Sequence, residues 1–246
     1  MTVLIGWIGV DSHSPCSAYI MSDSRLSWGT HPSAYNFGRK LFALKNSPDI
    51  LGDCGDVVFS SQVLSQIVEL DEYGLLFQAG MSSAERSESI LKQINTQFAG
   101  YPPYARNISS IYHISRDIGQ SFCAYKYSYD PKHNNWIVSC LPIETSQSSL
   151  VFCDGSGSSE FSELYRRYNA GDIAGTSRNI YQCFCDALTH TQILSCGGAP
   201  QLVGLYRGEK FNGISFGIIH DDKCYFLGSP ISERCFPDSV RWYNDN

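Results

Sequence analysis

Charge is scarce in this chain of 246 residues: Asp, Glu, Lys and Arg make up only 17%. So few charged side chains suggest that part of the surface is covered by contacts between subunits. Basic residues are the minority, 18 Lys and Arg against 24 Asp and Glu. The resulting net charge of −6 argues against nucleic-acid binding, which works by neutralising phosphates. No run of 18 apolar residues occurs, so no membrane-spanning helix is expected. A basic stretch followed by a long apolar core is also missing at the start. A signal peptide is therefore not expected, and a cytoplasmic protein is.

Several chemical signatures are absent as well. There is no Gly-x-Ser-x-Gly elbow, and the histidines at 13, 31, 113, 133, 190 and 220 lie in scattered contexts. A serine or cysteine triad built on histidine thus has no support. No phosphate-binding loop occurs, so any ATP use must come from a partner. The ten cysteines include no C-x-x-C pair, and most sit inside apolar runs, as in Ser121-Phe122-Cys123-Ala124. They read as buried thiols rather than as a disulfide scaffold. Cys183 and Cys185, with His190 beyond them, form the nearest thing to a ligand cluster, but zinc sites show two paired ligand sets. No metal and no cofactor are expected. With no repeat and no linker, residues 1–246 read as one domain.

What is present is a hydrophobic share of 43%, arranged with two periods. Strands are predicted at residues 2–10 and 17–22, joined by the turn Asp11 to Pro15, and at 40–44 and 50–52. Residues 26–36 read as irregular. From Ser60, the residues Val63, Leu64, Ile67 and Val68 take helical spacing. Ser82 and Glu85 form a capping box for a second helix that ends before Pro102-Pro103. Strands follow at 108–114, 121–127, 136–141 and 149–153. A third helix starts at a Ser158 or Ser159 cap, and a fourth runs over 177–194 until Gly197-Gly198 stops it. Three strands close the chain, at 201–206, 214–219 and 224–227, before a tail with Trp242 and Tyr243. Helices come in pairs between groups of strands. This order excludes a doubly wound sheet and predicts an α+β fold. Two antiparallel sheets face to face, with a helix pair outside each, give a four-layer αββα sandwich.

The first forty residues carry the chemistry. Thr2 needs only loss of Met1 to become the terminal residue. A terminal threonine is an activated nucleophile, because its own α-amine accepts the hydroxyl proton. Ser22-Asp23-Ser24-Arg25 then ends the second strand, and Lys40 heads the next. A Gly-containing turn, Gly52-Asp53-Cys54-Gly55-Asp56, leads into the first helix; Gly155-Ser156-Gly157 precedes the third; Ser195-Cys196-Gly197-Gly198 follows the fourth.

In their order, these motifs resemble the proteasome β-subunit family, including the HslV-type bacterial subunits, within the N-terminal nucleophile hydrolases. The resemblance implies a threonine peptidase with Thr2 as nucleophile. Lys40 corresponds to the lysine beside the hydroxyl, and Asp23 to the acid that anchors it. Arg25 corresponds to the partner that steadies the loop, and Ser156 to the serine near the amino group. Gly55 is the candidate for the backbone N–H that stabilises the oxyanion, where glycine lets substrate approach closely. The resemblance also implies a ring-shaped homo-oligomer, peptide or unfolded-protein substrates, and a separate AAA+ unfoldase.

The chain departs from the family in three places. The first hairpin is longer around Asp11 to Pro15. Ile193 and Cys196 stand where the family often has Asp and Ser. Asp53 and Asp56 replace small or apolar residues, an acidic mouth that favours basic substrate side chains or blocks a peptide altogether. Taken singly, each motif also admits a plain role: Thr2 as a strand residue, Asp23 with Arg25 as a surface pair, Lys40 as an edge protector, Ser156 in a flexible lead-in. Two other functions stay open, a non-catalytic scaffold or binding subunit and an amidohydrolase acting on a small non-peptide amide.

Overall fold

Alternation along the first strand already requires two apolar partners. In β1 (Leu4–Val10), Leu4 and Ile8 point to one side, while Ile5 and Trp7 point to the other, and all four are buried. The computed structural model describes residues 2–28, 33–190, 195–208, 212–232 and 237–244. In chain order it contains β1, β2 (Pro15–Ser22), β3 (Leu26–Ser27), β4 (Ala34–Tyr35), β5 (Leu41–Ala43) and β6 (Asp49–Cys54), then helices α1 (Val57–Glu72) and α2 (Ser83–Ala99). Strands β7 (Ser110–Arg116), β8 (Phe122–Asp130), β9 (Asn135–Leu141) and β10 (Ser149–Asp154) follow, then α3 (Ser158–Tyr168) and α4 (Ser177–His190). The chain closes with β11 (Gln201–Tyr206), β12 (Ile214–Ser215), β13 (Gly217–His220), β14 (Lys223–Phe226), β15 (Ser229–Ile231) and β16 (Trp242–Asn244).

The protein is α+β. One five-stranded sheet has the order β10-β1-β2-β11-β12, and a second the order β5-β6-β7-β8-β9. Three apolar cores account for the burial. Leu4, Ile8, Ile20, Leu41, Ile114 and Val203, drawn from both sheets, form one. The opposite face of the first sheet, with Ile5, Trp7 and Met21, packs against Phe161 of α3 and Ile180 and Phe184 of α4. On the second sheet, Phe42, Leu51, Ile111 and Tyr127 pack against Val63, Leu64 and Ile67 of α1 and Ile90, Ile94 and Phe98 of α2. Because β1 is apolar on both faces, alternation alone does not set its register. Gly6 does: a β-carbon there would overlap the Phe152 ring, so the ring opposite needs that one position empty.

The helix ends follow local chemistry. Ser82 and Glu85 form the capping box at α2. At α1 the helix starts three residues before the predicted Ser60, because the Asp56 carboxylate accepts from Val58 N and Phe59 N. No serine side chain caps α3. Gly157 holds the cap position, where a β-carbon would press on Val3 and Cys196, and Ser158 is already helical. Helix α4 is described to His190, and the predicted extension over 191–194 lies outside the described residues. A buried polar set anchors α2: Arg86 donates to Asp49 at 2.8 Å and to Ser115 Oγ at 2.6 Å, and His113 Nε2 meets Asp49 at 2.7 Å.

The expectation of just two antiparallel sheets is corrected at three points. Residues 26–36 include a short antiparallel strand pair, β3 with β4. The predicted strand over 214–219 breaks at Phe216, so that β12 stays in the first sheet and β13 joins a separate sheet, β15-β14-β13-β16. There β16 runs parallel to β13, and the Trp242 ring lies in the space left by the missing side chain of Gly217. Among the described residues, no helix is long and apolar enough to cross a membrane.

Candidate active site

Strand register brings the candidate residues to one end of the two five-stranded sheets. Leu4 pairs with both Ser22 and Asp154, and Ser22 pairs with Gln201. Thr2, Asp23, Gly155 and the residues before β11 therefore meet at that end. Leu41 pairs with Gly52 in the second sheet, which adds Lys40 and Asp53.

Lys40 is only 1% exposed. Its ammonium donates to Thr2 Oγ1 at 2.5 Å and to Asp23 Oδ1 at 2.7 Å. A buried cation is tolerated only when paired and hydrogen-bonded, and here the pairing aligns it on a hydroxyl. Asp23 is fully buried and saturated. Oδ1 accepts from Lys40 Nζ and Val3 N (3.2 Å), and Oδ2 accepts from Arg25 N (3.2 Å) and Gly197 N (3.0 Å). A carboxylate has about four acceptor sites, so this one has no spare capacity to rotate away.

Thr2 is clasped through its backbone. Its carbonyl accepts from Gly157 N at 3.2 Å. Gly155 has φ +98°, and a β-carbon there would overlap the Thr2 carbonyl oxygen. The Gly155-Ser156-Gly157 motif thus serves close backbone approach. Ser156 lines the same cavity as Thr2, and its Oγ lies 2.9 Å from Ser195 Oγ and 3.6 Å from Cys196 Sγ. Arg25 stands one step back. Its Nε donates to Asn36 Oδ1 at 2.8 Å, and its guanidinium covers Gly197, where a β-carbon would sit 2.6 Å from Cζ. It supports the loop that presents Gly197 N to Asp23. Ile193 lies outside the described residues.

Gly55 lines the cavity too, but the physical reason for glycine differs from the expected one. Its φ is +114°, and a β-carbon would sit 2.6 Å from Ile108 O. Packing against the 108–109 backbone demands glycine there whether or not a substrate approaches.

Gln201 escaped the sequence reading, whereas Asp53 and Cys54 were named in it. Gln201 is fully buried: its Oε1 accepts from Lys40 N at 3.2 Å, and its Nε2 donates to Gly38 O, Ser24 Oγ and Asp23 O. One amide thereby ties the Asp23 and Lys40 segments together. A glutamine opening an apolar strand was the available signal. Asp53, read only as part of an acidic mouth, is 2% exposed, and its Oδ1 has no hydrogen-bond partner among the described residues. Burial pushes its carboxyl up to about 7, against the pull of the Lys40 charge. Cys54 also lines the cavity, but burial pushes its thiol up to about 12, so it stays protonated and a poor nucleophile.

Together Thr2, Lys40, Asp53, Gly55 and Ser156 line a cavity of about 560 Å³ that opens between apolar side chains, among them Trp28 and Ile108. The nine cysteines among the described residues are free thiols, with Cys183 and Cys185 in the apolar core under α4. Among those residues no group of three or more His, Cys, Asp or Glu could hold a metal. A scan against protein-family models finds no match for this chain, and a search of curated proteins finds no significant match either.

Proposed function

We propose that this chain is a threonine-type hydrolase of peptide bonds, with Thr2 as its nucleophile once Met1 is removed. The observation that carries the reading is the buried line Asp23–Lys40–Thr2, with contacts of 2.7 and 2.5 Å. An ammonium fixed beside a hydroxyl favours the alkoxide that forms during attack. Thr2 Oγ1 attacks the substrate carbonyl while the Thr2 α-amine takes the hydroxyl proton, through a water. The amine returns that proton to the leaving nitrogen as the carbon–nitrogen bond breaks. Water then hydrolyses the ester left on Thr2. Gly55 N–H serves as the oxyanion donor, and Ser156 with Ser195 steadies the amino group.

The three apolar cores support reading the architecture as the four-layer αββα sandwich of N-terminal nucleophile hydrolases. On that reading the protein is a cytoplasmic member of the proteasome-like group. It assembles as a homo-oligomeric ring, takes peptides or unfolded chains, and works with an AAA+ unfoldase.

The test is a peptide epoxyketone, which needs both the hydroxyl and the free amine of a terminal threonine to form its adduct. Intact mass should show loss of Met1 and one adduct on Thr2. Thr2→Ala should abolish labelling while the folded state persists by circular dichroism. A fully retained Met1, or labelling that survives Thr2→Ala, refutes the mechanism.

A further inference from the structure

Charge on the cavity lining is one-sided. Among the described lining residues, Asp53 and Asp56 are the carboxylates and Lys40 is the cation. The Lys40 ammonium is already engaged by Asp23 and Thr2. Asp56 is engaged as well, capping α1 and accepting from Tyr101 OH at 3.4 Å. Asp53 differs from both. It is almost wholly buried at the end of β6, and its Oδ1 has no hydrogen-bond donor among the described residues. Leaving such a group unpaired is costly, so a donor supplied by the substrate has something to gain.

The apolar part of the lining decides what kind of donor fits. Leu26, Trp28, Val57, Val58 and Ile108 line the same cavity. Trp28 is 59%, Val58 58% and Ile108 83% exposed, an apolar group around an acidic interior. A short polar side chain would leave that apolar wall uncovered. A long alkyl stem ending in a cation would cover it and carry the charge inward, and the Trp28 ring offers a face to a cation on its way in. We infer that this cavity selects substrates with a lysine or arginine side chain, and that Asp53 is the residue that pairs with the cation. The inference rests on the reading of Thr2 as the nucleophile and names the substrate class for that site. Asp53 acts here as a specificity residue, reached by the substrate side chain and not by the reacting atoms.

The test compares two peptide epoxyketones that differ only in the residue beside the warhead, lysine or its uncharged analogue norleucine. The readout is the rate of Thr2 adduct formation, measured on the full chain and on Asp53→Asn. The lysine probe should label the native protein faster by on the order of tenfold or more, the size expected for pairing a buried charge. Asp53→Asn should abolish that preference by lowering the lysine-probe rate far more than the norleucine rate. Asp53→Glu, which keeps the charge, should restore part of the preference. A native preference for norleucine overturns the inference, as does a lysine preference untouched by Asp53→Asn. Equal loss for both probes also overturns it, because Asp53 would then serve the reaction rather than the choice of substrate. If neither probe labels Thr2, the nucleophile reading falls. Equilibrium binding of N-acetyl-lysine and N-acetyl-norleucine methylamides by calorimetry then decides the pocket on its own. A lysine preference that Asp53→Asn removes upholds the pocket, and equal binding overturns it.

Discussion

Replacing Asp53 by asparagine should make this protein more stable at pH 8 than at pH 5, relative to the native chain. Burial raises the Asp53 carboxyl from 3.8 to about 7 in the folded state. A carboxyl with a raised folded value holds its proton more tightly when folded. Folding is then penalised as pH climbs from the unfolded value towards the folded one. The full penalty is about three pH units at 1.36 kcal/mol each, or about 4 kcal/mol. At pH 5 less than half of this is felt, because the folded carboxyl is still protonated and only the ionisation of the unfolded one counts against folding. By pH 8 nearly all of it is felt. Asparagine has a similar shape and no charge to lose, so the variant escapes the slope. Urea unfolding of both proteins should show the stability difference growing in favour of Asp53→Asn by about 2–3 kcal/mol between pH 5 and pH 8. Groups elsewhere titrate in both proteins and cancel in the difference. A difference that stays flat across this range would refute the claim that burial holds the Asp53 carboxyl above its ordinary value.

Three further outcomes are expected. Lys40→Met leaves the Asp23 carboxylate buried without its cation, so urea unfolding should show a loss of about 3–5 kcal/mol, and epoxyketone labelling of Thr2 should disappear. The double change Asp23→Asn with Lys40→Met should recover part of that stability but none of the labelling. Gly155→Ala forces a side chain onto the Thr2 carbonyl at a backbone angle of +98°; thermal unfolding should show a marked fall in Tm, with labelling lost as the clasp on Thr2 opens. Gln201→Leu strands the Lys40 N–H and the acceptors at Gly38 and Asp23. It should cost at least about 2 kcal/mol by urea unfolding and slow Thr2 labelling without changing the lysine-to-norleucine ratio.

Much of the fold was legible in local pattern. The helix pair of α1 and α2 showed in apolar spacing and in a capping box whose two halves lie three residues apart. The hairpin of β1 and β2 showed in two apolar runs around a turn. The misread ends have tertiary causes. Asp56 caps α1 three residues early, and α3 starts without a serine cap because the chain at Gly157 is pressed against Val3. The break at Phe216 was invisible, since Ile214 to Ile219 reads as one apolar strand. Only the tertiary structure shows Gly217 leaving that sheet to pair with β14 and with β16, whose Trp242 ring covers it.

The site divides in the same way. Thr2 was singled out by what a terminal hydroxyl can do, and Asp23 and Lys40 by the order of motifs and the family that order resembles. Sequence could not show that the three form a line 2.5 and 2.7 Å long, since those distances depend on how two sheets stack. Gln201 and Asp53 belong with what folding alone decides. Both stand at strand ends where a polar residue looks ordinary, and only burial, which removes water as a competing partner, gives one its crosslinking amide and leaves the other an oxygen with no partner among the described residues.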